Sequence, residues 1–187
     1  MEVIPRKRMM IYFDLETEGL DPFESAIRCV GTVDVETGDV EIRTATSEAR
    51  ERDLIVALSH TLMTSLKWGG WNITEFDLPF LAVRADRYGL DFPIEPVSQE
   101  PYIGKYGNAR VIIPFRQIHD MAYDYRELAE EMGVDWHLQS LAKTTGWEPS
   151  HEVTGADMPS ASLTEVVAHL SDDLSAMYVL AHRYGIR

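Results

Sequence analysis

The chain of 187 residues has one cysteine, Cys29, so it cannot close an internal disulfide. Its position in the apolar stretch "AIRCVGTV" marks it as a small buried packing residue. No run approaches the roughly 20 apolar residues of a membrane span, and the basic first ten residues lack the apolar segment of a signal peptide. The expectation is a soluble, cytoplasmic protein with no membrane partner. Lysine is scarce, with four residues against 13 arginines, and 31 acidic residues outweigh 17 basic ones to leave a net charge of −14. That balance argues against generic nucleic-acid binding, which rests on Lys and Arg neutralising phosphates. The exclusion lapses if the acids gather around divalent cations, because the ions then reverse the sign that a phosphate meets.

What the chain does have is a 45% hydrophobic composition, enough for the core of one globular domain over residues 1–187, with residues 1–8 as a flexible basic tail. "MMIYFDL" reads as a buried strand, and "SAIRCVGTVD" and "DVEIRTAT" as a hairpin turning at Gly38, so the sheet starts with three antiparallel strands. Leu54, Leu58, Leu62 and Leu66 recur at fours on a helix expected from about Ala49 to Leu66. "WGGWN" reads as a short strand after it and "LPFLAVRADRYG" as a helix, with Pro79 in its first turn and Gly89 past its end. Residues 91–117 are irregular, although "ARVIIPF" has strand character. "YDYRELAEEMG" and "LQSLAKTTG" read as two short helices closed by glycine. After the loop "WEPSHEVTGADMPSA", Ser162 and Glu165 have capping-box spacing at the start of a long final helix. The expected fold is a mixed α/β sheet with helices on both faces.

The acids fall at informative places. On a strand, Asp14 and Glu16 point to the same face, roughly 7 Å apart, and two anions that close repel unless a cation lies between them. On the last helix, at about 100° per residue, Leu163, Val166, Val167, Leu170, Leu174, Met177 and Ala181 form the core stripe. His169 and Asp173 lie just off one edge of it, and Asp172 falls nearly opposite, away from any site at the sheet edge. Asp77 lies at a helix N-terminus, where capping alone can account for a carboxylate. Asp120 in "IHDMAY" reads as structural, a cap for the residues after it.

Taken together, "FDLETEGLDP", "NITEFDLPFLAVRA" and the acid-bearing closing helix resemble, in order and spacing, the three exonuclease motifs of the DEDD superfamily. The likeness is nearest to the proofreading domain of family-B DNA polymerases, and "DWHLQSLAKTTG" resembles the segment before its third motif. The likeness spans residues 9–185. It implies a ribonuclease-H-like fold, with antiparallel first three strands and then parallel ones, and a metal site of Asp14, Glu16, Asp77 and Asp173. The implied activity is 3′–5′ exonucleolytic cleavage of single-stranded DNA ends with two divalent cations, Mg²⁺ or Mn²⁺, ions that favour carboxylate oxygen. His169 stands where polymerase-type members have tyrosine, and one position later than the histidine of other members; its implied role is to position or deprotonate water. Asn72 and Phe76 are candidates for touching the terminal nucleotide, and Lys105 and Arg110 for touching backbone phosphate. Trp68, Trp71, Tyr102 and Tyr106 are candidate stacking platforms. An exoribonuclease with the same site, and a catalytically weak module that binds nucleic acid or a replication or repair partner, remain as alternatives.

Overall fold

The computed structural model describes residues 8–92, 95–96, 109–110, 118–151 and 160–185. In chain order these form β1 (Arg8–Thr17), β2 (Ile27–Asp34), β3 (Val40–Thr44), α1 (Glu48–Met63), β4 (Ser65–Gly70), α2 (Asp77–Arg87), β5 (Glu95–Pro96), β6 (Ala109–Arg110), β7 (Ile118–Asp120), α3 (Met121–Asp124), α4 (Arg126–Met132), α5 (Leu138–Lys143) and α6 (Leu163–Tyr184). The main sheet runs β3-β2-β1-β4-β7, and β5 pairs with β6 separately. β1–β2 and β2–β3 are antiparallel, whereas β1–β4 and β4–β7 are parallel. This is the ribonuclease-H-like arrangement expected. No helix among the described residues is long and apolar enough to cross a membrane.

Strand β1 is apolar on both sides because both faces of the sheet are covered. Tyr12 and Met10 join Cys29 and Val33 in a core closed by α4, α5 and α6. Phe13 and Leu15 join Ile27 and Val30 in a second core closed by α1 and α2. Asp14 and Glu16 continue the Tyr12 side and therefore face α6. Directly across the ladder from Asp14 is Gly31. A Cβ there would run into Leu174 and lie 3.0 Å from Leu170 Cγ, so the glycine lets α6 settle against the sheet. α6 starts at the expected capping box: Ser162 N–H donates to Glu165 Oε2 (2.7 Å) and Glu165 N–H to Ser162 Oγ (3.3 Å).

Several boundaries differ from the sequence reading. α1 stops at Met63 because the Thr64 N–H and hydroxyl both turn back to His60 O, so Leu66 lies on a strand instead of the helix. β4 accordingly starts before "WGGWN" and ends before Trp71. The single helix expected over 123–133 is two, broken at Tyr125 (φ −104°, ψ 8°). β7 has no hydrophobic run to announce it; its three residues are a strand because β4 supplies the ladder. The "ARVIIPF" expectation lies mostly outside the described residues, apart from β6.

Candidate active site

The site forms where β1 outruns β4. The last β1–β4 pair is Tyr12 with Gly69. Beyond it, the Leu15 N–H meets Asp77 Oδ1 at 3.0 Å. Asp77 is the first residue of α2, and its carboxylate takes the Leu15 N–H of β1 as well as its own backbone N–H. Capping alone therefore does not explain this acid. On the α6 side, His169 Nε2 lies 3.5 Å from Asp173 Oδ2 and 3.8 Å from Glu16 Oε1. Glu16, His169 and Asp173 each offer a ligand atom, all within 4.8 Å of one another. Gln139, at the start of α5, donates from Nε2 to Asp173 Oδ1 at 2.8 Å.

The electrostatics of this pocket are unfavourable as it stands. Burial, then the Asp173 charge, push Asp14 up to about 8 against hydrogen bonds from Leu15 and Asp77. Burial, then Asp14 and Asp173, push Glu16 up to about 9, with Arg28 pulling the other way. Asp77 is raised well above the carboxylate range by burial and by Asp14. Asp173 is raised by burial, opposed by His169 and by the Gln139 hydrogen bond. Crowded carboxylates of this kind hold protons that a bound cation would displace. Their hard oxygen donors fit Mg²⁺ or Mn²⁺.

Of the thirteen residues singled out in the sequence for catalysis or substrate, Asp14, Glu16, Asp77, His169 and Asp173 come together here. Asn72 adopts a left-handed backbone (φ +57°) in the loop before α2. Phe76 is partly buried and its ring is tilted on that of Phe80, with the centroids 5.6 Å apart. Lys105, with Tyr102 and Tyr106, lies outside the described residues; Arg110 falls on β6. Trp68 is no platform: it is buried and donates from Nε1 to Leu62 O at 2.6 Å. Trp71 packs half-buried against the α6-side core.

Asp172 corrects the helical-wheel reading. It is buried instead of solvent-facing, and its carboxylate accepts from Ser150 N–H (3.0 Å), Ser150 Oγ (2.7 Å) and His151 N–H (3.0 Å). The wheel located one apolar stripe, but the segment after α5 covers a second flank of α6. Asp120 is structural, as expected: it caps α3 through Ala122 N–H (3.1 Å) and also holds the Asn72 and Thr74 N–H groups, each at 3.0 Å. Gln139 is the residue that sequence reasoning missed. Its segment is motif-like, but a glutamine has no periodicity or charge to single it out.

Comparison with curated proteins finds no match. Among solved structures, the family B DNA polymerase of the hyperthermophilic archaeon Pyrobaculum calidifontis superposes with a TM-score of 0.70 at 19% identity, over 98% of this chain and 25% of the polymerase. An exonuclease I, whose structure was described for what it suggests about processivity, superposes with a TM-score of 0.56 at 15% identity, over 93% of this chain and 41% of the enzyme. The chain thus spans less than half the length of either. The RNase_H_2 family model, of the RNase_H superfamily, matches residues 11–184, nearly the whole chain; this protein belongs to that superfamily.

Proposed function

We propose that the chain is a single exonuclease domain that removes nucleotides from the 3′ end of single-stranded DNA by metal-dependent hydrolysis. The observation that carries this reading is the convergence of Asp14, Glu16, Asp77 and Asp173, from three separate segments, into one cluster whose acids are held above their ordinary range. The fold likeness to exonuclease I and to a family B polymerase supports it. Asp14, Glu16, Asp77 and Asp173 would hold two divalent cations, Mg²⁺ or Mn²⁺. When bound, such ions ionise water at neutral pH and neutralise charge building on the phosphoryl oxygens.

The chain's own groups do the rest. His169 Nε2, facing Glu16 and Asp173, takes the proton of the attacking water, and those two carboxylates stabilise the imidazolium that forms. The water oxygen bonds to phosphorus, the bond to the 3′-oxygen of the preceding nucleotide breaks, that oxygen takes a proton from solvent water, and His169 releases its proton back to solvent. The products are a nucleoside 5′-monophosphate and a new 3′-hydroxyl. The Leu15 N–H keeps Asp77 in place beside Asp14. Asn72 and Phe76, in the loop leading to Asp77, are the proposed contacts for the terminal nucleotide.

The test uses matched 3′-labelled and 5′-labelled DNA and RNA oligonucleotides with Mn²⁺, Mg²⁺ or EDTA. The expected result is stepwise shortening of single-stranded DNA from the 3′ end that EDTA stops. Faster loss from RNA would make it an exoribonuclease. No metal-dependent loss from any end would overturn the enzymatic reading in favour of a binding module.

A further inference from the structure

Asp173 is the one carboxylate of the cluster carried by α6, and its two oxygens have different neighbours. Oδ2 faces His169, and through it Glu16, while Oδ1 accepts from Gln139 Nε2 at 2.8 Å. Gln139 itself stands on a fixed base, since Leu138, Leu141 and Ala142 of α5 are all buried in the core that α6 closes. Other contacts already tie the α5 region to α6, namely Thr144 Oγ1 to Tyr184 OH (3.1 Å) and Trp147 Nε1 to Ser175 Oγ (3.1 Å). Joining the two elements is therefore not what singles Gln139 out.

From this arrangement, and resting on the metal-site reading above, we infer that Gln139 is a positioning residue: it fixes the Asp173 carboxylate by Oδ1 so that Oδ2 is presented to a divalent cation beside Glu16. Glu16, His169 and Asp173 each offer a ligand atom within 4.8 Å of one another, so the Glu16 and Asp173 carboxylates are close enough to repel. A donor on the far oxygen opposes the swing of Asp173 out of the pocket. An amide suits this task better than an ammonium or guanidinium. It donates a hydrogen bond without bringing a positive charge that would neutralise Asp173 and compete with the incoming ion.

The experiment is calorimetric titration of the whole chain with MnCl₂, comparing wild type with Gln139→Met, Gln139→Ala and Thr144→Val. Gln139→Met keeps the side-chain length and removes the donor, so it remains informative if the alanine variant fails to fold. Thr144→Val cuts a tie between the same two elements without touching Asp173. The expected result is a Mn²⁺ Kd raised roughly 10- to 100-fold by Gln139→Met, the usual effect of losing a partner that orients a metal ligand. Thr144→Val should leave the Kd at the wild-type value. Nuclease turnover of Gln139→Met should recover as Mn²⁺ is raised, which a misfolded pocket would not do. A Gln139→Met Kd equal to wild type, or a Thr144→Val Kd weakened as much, overturns the role of Gln139 alone. A wild-type chain that binds no Mn²⁺ brings down the metal-site reading and this inference with it.

Discussion

Two buried glutamates on either side of the sheet, Glu51 and Glu16, are 1% and 7% exposed, yet their electrostatic surroundings are opposite. Burial pushes Glu51 up, but the Arg84 guanidinium grips it at 2.7 and 2.6 Å, Ile27 N–H and Tyr88 OH add two more hydrogen bonds, and the carboxyl ends below its ordinary range. Glu16 has acids for neighbours and is held up near 9. The lesson is that a buried carboxylate gripped by its own cation belongs to the architecture, whereas buried carboxylates massed together repel one another and hold on to their protons. The Glu51 corner also serves the site from behind. Arg84 reaches Pro22 O and Arg87 reaches Phe23 O, both at 3.4 Å, which ties down the segment leaving β1.

The comparison can be broken at either end. Arg84→Met strands Glu51 as an unpaired buried charge and should cost roughly 3–5 kcal/mol of stability, read by denaturant titration. Asp14→Asn should do the reverse. It removes one of the repelling charges, so the metal-free fold melts no lower than wild type, while oligonucleotide hydrolysis falls by about 10³-fold or more as several kcal/mol of charge stabilisation is lost. An Asp14→Asn protein that unfolds would return this cluster to the architectural class. Asp172→Ala is the intermediate case, an acid next in sequence to Asp173 but satisfied by Ser150 and His151. It should lower stability by about 1–3 kcal/mol and leave the Mn²⁺ Kd unchanged.

The sharpest contrast is with pH. Asp14 and Glu16 are raised in the folded state to about 8 and 9, so the folded chain keeps protons that the unfolded chain has already lost above the ordinary carboxylate range. Their stabilisation is complete at acid pH and is lost as pH rises through 8 to 9, at most about 1.4 kcal/mol per pH unit for each such proton. Glu51 has the opposite sign: its contribution is present at neutral pH and is lost on acidification. The metal-free melting temperature should therefore fall from about pH 6 to pH 9, and saturating Mn²⁺ should flatten that fall. A curve that is level without metal and steep with it would invert the assignment.

Much of the fold and site was legible in local patterns. Period-two alternation aimed Asp14 and Glu16 at one face, the Gly38 turn made the hairpin, and the Ser162–Glu165 box started α6. Two of the misses share one cause. β7 and Asp172 were each decided by a neighbour distant in sequence: the ladder β7 makes with β4, and the segment around Ser150 lying over α6. Gln139 escaped for the same reason, since an amide becomes informative only when its partner is known.

The sequence by itself determined which way each acid points from its own strand or helix, because side-chain direction is set by backbone period over a few residues. Tertiary structure decided that the acids meet. β1 outruns β4, leaving the Leu15 N–H for an Asp77 that lies 62 residues away, and Gly31 lets α6 come down far enough to bring Asp173 to Glu16. Contacts between residues so far apart along the chain depend on how whole elements pack, and no short window of sequence carries that information.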